Sequence, residues 1–244
     1  DFYLSASPKY KEISQTFGEV TIRSYAPKEF QDGAQLGMEV ASRAIEDFSA
    51  RYARYPYTEF EIVSTPTFAL GIEYPGLVAI NTELYDASGG YRGSPTSIEM
   101  EATVAHEVGH QWFYNLVGDD QLDDPWLDES LTQFATLQYY MDGHGMISAD
   151  SFRSSLERRW ERVEMADIPI GLPVADYQGR EYSAIVYGRG PLFFVELKDV
   201  MDTEAFDEFL RDYTETFSWN IATSESLQSL AEEHCACDLD SMFE

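Results

Sequence analysis

In the first part of the chain, up to about residue 94, short apolar runs rich in β-branched residues alternate with polar positions. This pattern predicts strands at 18–25 and 60–65. Two further strands are predicted within 67–81, on either side of a turn at Tyr-Pro-Gly. Between these strands, apolar residues recur at helical spacing across 37–54 and predict one amphipathic helix.

From about residue 95 onward, apolar residues recur every three or four positions, which predicts helices. Thr96 and Glu99 have the spacing of a capping box, so the first of these helices is predicted to begin there and to continue to Gly118. The later helices are predicted at about 125–143, 148–164, 181–201, 203–217 and 224–235. The predicted fold class is therefore α+β, with a sheet-bearing lobe (1–94) followed by a mainly α-helical lobe (95–244).

Composition narrows the classes of function. The 16 basic and 44 acidic residues give a net charge of −28, which argues against a nucleic-acid partner. Apolar residues make up 44% of the chain, enough for a core, and no run is long enough to predict a transmembrane segment. Cys235 and Cys237 are separated by one residue, and because a bridge between them would be strained, we expect free thiols.

The segment HEVGH, residues 106–110, concentrates metal-binding chemistry on a predicted helix. Residues four apart lie on the same face of a helix, so His106 and His110 can bind one metal ion. Glu107 is rotated by about 100° from His106 and lies beside the ion, where it can serve as a general base. The pattern H-E-x-x-H is typical of zinc hydrolases, and a catalytic zinc needs a third protein ligand.

The third ligand should be an acidic residue that follows His110. The acidic residues in the segment that follows His110 are Asp119, Asp120, Asp123, Asp124, Asp128 and Glu129. Glu129 is the best candidate because it lies one turn into the next predicted helix, which a helical hairpin can return to the first. Spacing alone leaves Asp128 open as the alternative.

The segments HEVGHQWFYNLVG and PWLDESLTQFA together resemble the signature of the aminopeptidase N family of gluzincin zinc metallopeptidases. In that signature, as here, eighteen residues separate the second histidine from a glutamate. The resemblance implies one Zn²⁺ ion bound by His106, His110 and Glu129, with Glu107 as the general base. Asp128 stands where the family usually has Asn.

Two further segments extend the resemblance. LGIEYPGLVAI, residues 70–80, is similar to the family's exopeptidase segment, which implies substrate binding by Glu73 and Gly71, with Glu73 on the substrate's free amine. Leu70 and Tyr74 replace the family's Gly and Asn in this segment.

EYSAIVYGRGPLFFVEL, residues 181–197, is similar to the family's segment around an active-site tyrosine. This implies that Tyr187 stabilises the oxyanion and that Tyr182 contributes to substrate binding. Gly188 and Arg189 stand where the family has Glu and Lys.

The resemblance implies a thermolysin-like catalytic domain across 1–244, with a small mixed β-sheet lobe, a helical lobe and the zinc site at their junction. The family's N-terminal β-domain is expected to be absent from this chain, and other domains of a longer parent chain are expected partners. The implied activity is removal of N-terminal residues from peptides. The alternatives are a thermolysin-like zinc endopeptidase, a zinc-binding fragment with impaired turnover, and a purely structural helical hairpin.

Overall fold

The computed structural model describes residues 3–243 and contains a β-sheet followed by a series of helices. The strands are β1 (Tyr10–Phe17), β2 (Val20–Pro27), β3 (Glu59–Thr65), β4 (Gly71–Tyr74), β5 (Leu77–Asn81), β6 (Gly90–Tyr91) and β7 (Ser94–Pro95). The α-helices are α1 (Gln31–Arg51), α2 (Thr96–Gly109), α3 (Trp126–His144), α4 (Met146–Trp160), α5 (Glu181–Ala184), α6 (Gly190–Met201), α7 (Thr203–Thr216), α8 (Ser224–Cys235) and α9 (Asp240–Phe243). A π-helical segment, Ile185–Arg189, connects α5 to α6. This order confirms the predicted α+β class.

The main sheet is mixed and has the strand order β1-β2-β3-β5-β4. The pairs β2–β3 and β3–β5 are parallel, and the outer pairs β1–β2 and β4–β5 are antiparallel. Parallel neighbours need a crossover connection, and α1 provides it between β2 and β3. Strand β4 therefore lies at an edge of the sheet and immediately precedes the turn into β5.

The chain divides into two compact units. The first unit comprises the described residues up to Asp47 together with Tyr55–Gln111, and the second comprises Phe48–Arg54 together with the described residues from Trp112 onward. The first unit holds the sheet and α2, and the second holds the helices from α3 onward. Of the helices described, none is long and apolar enough to cross a membrane.

In the first unit, α1 approaches its neighbours at two glycines. A Cβ atom at Gly33 would lie 2.3 Å from the carbonyl oxygen of Tyr85, and one at Gly37 would lie 2.7 Å from the Met100 side chain. At Gly33 the obstacle is backbone, so a larger side chain would push the helix away, whereas at Gly37 the end of the flexible Met100 side chain would have to move aside. The buried residues Ile62 and Val78, on β3 and β5, belong to the same unit's core.

In the second unit, aromatic side chains form much of the core. Trp126 of α3 stacks on Phe194 of α6, with ring centroids 5.6 Å apart. Phe134 contacts Phe206 of α7 edge-on at 5.4 Å, and all four side chains are buried. Such pairs stabilise the fold by about 0.5–1.5 kcal/mol beyond the burial of their area.

Helix α2 begins at Thr96 as predicted, but its C-terminal end and its N-terminal cap differ from the prediction. It ends at Gly109, nine residues before the predicted Gly118, because Trp112 and Val117 instead form a turn closed by the bond from Val117 N to Trp112 O (2.9 Å). Trp112, Phe113, Leu116 and Val117 in this stretch are all buried, and a short buried apolar run does not distinguish a helix from other buried structure. The predicted capping box is also wrong, because the Thr96 hydroxyl donates to the carbonyl of Gly89 (3.1 Å) and also to that of Asp86.

The expectation of free thiols is wrong, because Cys235 and Cys237 form a disulfide. Ala236, between them, adopts the left-handed conformation (φ 50°), which turns the chain sharply at the end of α8. This turn brings the two Cα atoms to 5.1 Å, a separation that a disulfide can span.

Candidate metal centre

The first unit brings the two histidines of HEVGH together at the end of α2. The Nε2 atoms of His106 and His110 lie 3.2 Å apart, and both side chains are buried. Although α2 ends at Gly109, the amide of His110 still donates to the carbonyl of His106 (3.3 Å). The spacing of one helical turn therefore persists through His110, as the sequence predicts.

This pair of nitrogens fits a zinc ion. Nitrogen ligands bind zinc at about 2.0–2.1 Å, so two of them in a tetrahedral site lie about 3.3 Å apart. The observed Nε2–Nε2 separation of 3.2 Å is close to that value. Imidazole nitrogens are also among the ligands that zinc prefers.

Glu107 lies in the same cluster, against the edge strand of the sheet. Ligand atoms of Glu73, Glu107 and His110 lie within 4.8 Å of one another. A Cβ atom added at Gly71 of β4 would lie 2.2 Å from Glu107 Oε1, so only glycine leaves room for this carboxylate. The residues predicted from the two sequence motifs of this unit are thus brought together.

Gln111 is a functional candidate that the sequence did not reveal. Its side chain is fully buried; Oε1 accepts the amide of Gly76 (2.8 Å), and Nε2 donates to the carbonyl of Tyr74 (3.1 Å). These two bonds connect the end of α2 to the β4–β5 turn, directly beyond Glu73. A side-chain contact between segments so far apart in sequence leaves no periodic signal.

The second unit brings Glu129, Tyr187 and Tyr182 together. The Tyr187 hydroxyl donates to Glu129 Oε1, and the Tyr182 and Tyr187 rings lie 5.7 Å apart. Burial, followed by the neighbouring Glu129 carboxylate, raises the pKa of Tyr187 well above its ordinary value. The hydroxyl is therefore protonated at neutral pH and can act as a donor.

The carboxylate of Asp128 is engaged within the same unit. Its Oδ1 atom accepts the amide of Glu129 (2.6 Å), and its Oδ2 atom accepts Nε2 of Gln121 (3.0 Å). Asp128 is buried, at 1% exposure, in the first turn of α3. Because both oxygens have hydrogen bonds in the second unit, this geometry favours Glu129 over Asp128 as the metal ligand.

Comparison with known proteins assigns the family. The model of the peptidase family M1 domain matches residues 36–244 of this chain. The chain belongs to peptidase family M1. The resemblance to the aminopeptidase N family is thereby confirmed, since named relatives of this M1 domain are aminopeptidases.

Three relatives of this M1 domain illustrate the similarity. Aminopeptidase N of Lactobacillus helveticus is 29% identical over 228 residues, which cover 86% of this chain and 25% of that protein. Aminopeptidase 2 of Candida albicans is 28% identical over 233 residues, covering 90% of this chain and 25% of that protein. Endoplasmic reticulum aminopeptidase 1 of Rattus norvegicus is 24% identical over 240 residues, covering 94% of this chain and 25% of that protein. The M1 domain described here thus spans about a quarter of the length of these curated relatives.

Proposed function

We propose that this chain is the catalytic domain of a zinc aminopeptidase that removes N-terminal residues from peptides. The observation that carries the proposal is the cluster of Glu73, Glu107 and His110 in the first unit, next to the His106 nitrogen. A general base, metal-binding nitrogens and a carboxylate for a substrate amine are the groups that this reaction needs. Membership of family M1 supports the same reaction.

The proposed ligand set is His106, His110 and Glu129, around one zinc ion. The separation of the two imidazole nitrogens and the engagement of both Asp128 oxygens support this set. Bound zinc supplies Lewis acidity, which polarises the scissile carbonyl and lowers the pKa of a water molecule.

The chain's own residues would then move the protons. Glu107 accepts a proton from the attacking water and passes it to the departing amine. The Tyr187 hydroxyl, which donates to Glu129 in this structure, donates to the oxyanion as that charge develops. Loss of one such donor typically costs about 2.7–4 kcal/mol of transition-state stabilisation.

Glu73 would make the reaction specific for a free amino terminus. A carboxylate held near the reacting centre forms charge-assisted hydrogen bonds with an ammonium group, and these are stronger than neutral ones. A carboxylate oxygen of Glu73, on β4, lies within 4.8 Å of the potential ligand atoms of Glu107 and His110, and this position supports the role. An endopeptidase would have no need of such an anchor.

Glu73→Gln should raise KM for substrates with a free amine by about 10-fold to 100-fold, from the loss of a charged hydrogen bond. Hydrolysis of the N-acetylated form of the same peptide should be slow in the parent and unchanged in the variant. The matched control is Glu83→Gln, which removes an exposed carboxylate from the same unit. Equal losses on free and acetylated peptides would reject the anchor, and rapid cleavage of acetylated peptide by the parent would favour an endopeptidase.

Gly71→Ala should lower kcat by about 10-fold or more, because the added methyl group would overlap the Glu107 carboxylate and displace the base. Steady-state kinetics on an aminoacyl amide measures the effect. Gly90→Ala is the control, since a Cβ atom there would be 3.5 Å from its nearest neighbour, an ordinary contact. A Gly71→Ala variant with the parent's kcat would show that the base does not depend on this close approach.

A further inference from the structure

The helix that carries Tyr187 is interrupted, and Pro191 explains the interruption. In a regular α-helix, the amide of residue 190 would donate to the carbonyl of Val186, and that of residue 191 to the carbonyl of Tyr187. Here the Gly190 amide donates to Ile185 instead, with π-helical spacing, and Pro191 has no N–H to donate. The carbonyls of Val186 and Tyr187 therefore lose their α-helical donors.

Side chains from two neighbouring helices replace the missing donors. The Ser130 hydroxyl of α3 donates to the carbonyl of Val186 at 2.6 Å, and both residues are buried. Arg159 of α4 donates from Nη1 to the carbonyl of Tyr187 at 3.3 Å. A buried carbonyl without a donor is costly, so the Ser130 bond stabilises the π-helical segment.

Two glycines, Gly188 and Gly190, allow the segment around Tyr187 to lie close to α3 and α4. A Cβ atom at Gly190 would lie 2.0 Å from Ser130 Oγ, so the hydroxyl occupies the space that any larger side chain would need. A Cβ atom at Gly188 would lie 3.0 Å from the backbone of Leu156 and of Trp160 on α4. The segment that carries Tyr187 is thus enclosed by α3 and α4 within the second unit.

Two adjacent residues of α3 contact the π-helical segment that carries Tyr187, one at a side chain and the other at the backbone. Glu129 accepts the Tyr187 hydroxyl, while Ser130 donates to the carbonyl that immediately precedes Tyr187. We propose that Ser130 is a positioning residue, which fixes the π-helical segment so that the Tyr187 hydroxyl points to its place of action. This inference rests on the proposed function, in which Tyr187 donates to the oxyanion.

Ser130→Ala should lower kcat on an aminoacyl amide by between about 10-fold and 100-fold, because catalytic groups tolerate little displacement, while KM and bound zinc stay unchanged. The control is Thr136→Val, which removes another buried hydroxyl from α3; that hydroxyl donates within its own helix, to the carbonyl of Thr132 (2.8 Å). The control should keep kcat within about 2-fold of the parent.

A double-mutant cycle separates positioning of Tyr187 from a general effect on the fold. If Ser130 acts through Tyr187, adding Ser130→Ala to a Tyr187→Phe variant should lower kcat by less than about 2-fold further. Amide hydrogen exchange gives a readout independent of activity. Exchange in peptides covering 185–190 should be faster in Ser130→Ala than in the parent or in Thr136→Val.

The outcomes distinguish the two proposals. A parent protein without aminopeptidase activity, or a Tyr187→Phe variant as active as the parent, would overturn the role of Tyr187 in the proposed function. An active parent that depends on Tyr187, with equal effects of Ser130→Ala and Thr136→Val on kcat and exchange, would overturn the inference about Ser130 alone. A Ser130→Ala loss that persists in full in the Tyr187→Phe background would also overturn it.

Discussion

Glu107→Gln should lower kcat for peptide and amide hydrolysis by about 10²–10⁴-fold while the protein keeps its zinc, because the amide is isosteric but cannot accept the proton from water. The substitution leaves both imidazole nitrogens in place, so the two proposed histidine ligands are unchanged. Single-turnover kinetics together with zinc content, measured on the same preparation, gives both values.

The matched control is Glu101→Gln on the same helix. Glu101 Oε1 lies 3.5 Å from Arg43 Nη1, and this partly exposed ion pair contributes little to stability. The control should keep kcat within about 2-fold. Hydrolysis by Glu107→Gln at the parent's rate, with zinc bound, would exclude Glu107 as the base.

Glu129→Gln should weaken zinc binding by more than about 100-fold, since loss of a direct ligand should exceed the 10-fold to 100-fold cost typical of residues that only support ligands. Competition with a chelator of known affinity measures the change. The charge lost is one carboxylate, and the side chain keeps its size, so packing in α3 should be preserved.

Asp128→Asn makes the same change of charge at the adjacent residue and serves as the control. Both Asp128 oxygens accept hydrogen bonds within the second unit. The Asp128→Asn substitution should therefore weaken zinc binding by no more than about 10-fold. A larger loss from Asp128→Asn than from Glu129→Gln would make Asp128 the ligand.

Local periodicity predicted most of the helices, and the reason is physical. Helices α7 and α8 carry one apolar stripe each against the core of the second unit, so their spacing is visible in the sequence. The sequence did not predict strand β1, because β1 is a mostly exposed edge strand. Ile13 is its single aliphatic residue. Edge strands of this kind lack the alternation on which strand prediction depends.

The missed features of the candidate site depend on contacts between distant segments. Gln111 and Ser130 act through bonds to backbone atoms 35 and 56 positions away in the sequence, which no local pattern encodes. One local signal was available: Pro191 inside the predicted helix at 181–201 indicated a break in the hydrogen-bond ladder beside Tyr187. The disulfide between Cys235 and Cys237 depends on the backbone conformation of Ala236, which the sequence did not reveal.

The proposed reaction depends on one zinc ion bound by His106, His110 and Glu129. Anomalous diffraction recorded above and below the zinc absorption edge, on crystals of the protein, tests it most directly. One strong peak is expected about 2.0–2.2 Å from the Nε2 atoms of both histidines and from a carboxylate oxygen of Glu129. No peak at the paired nitrogens in zinc-supplied protein, or a peak whose carboxylate ligand is Asp128, would contradict it.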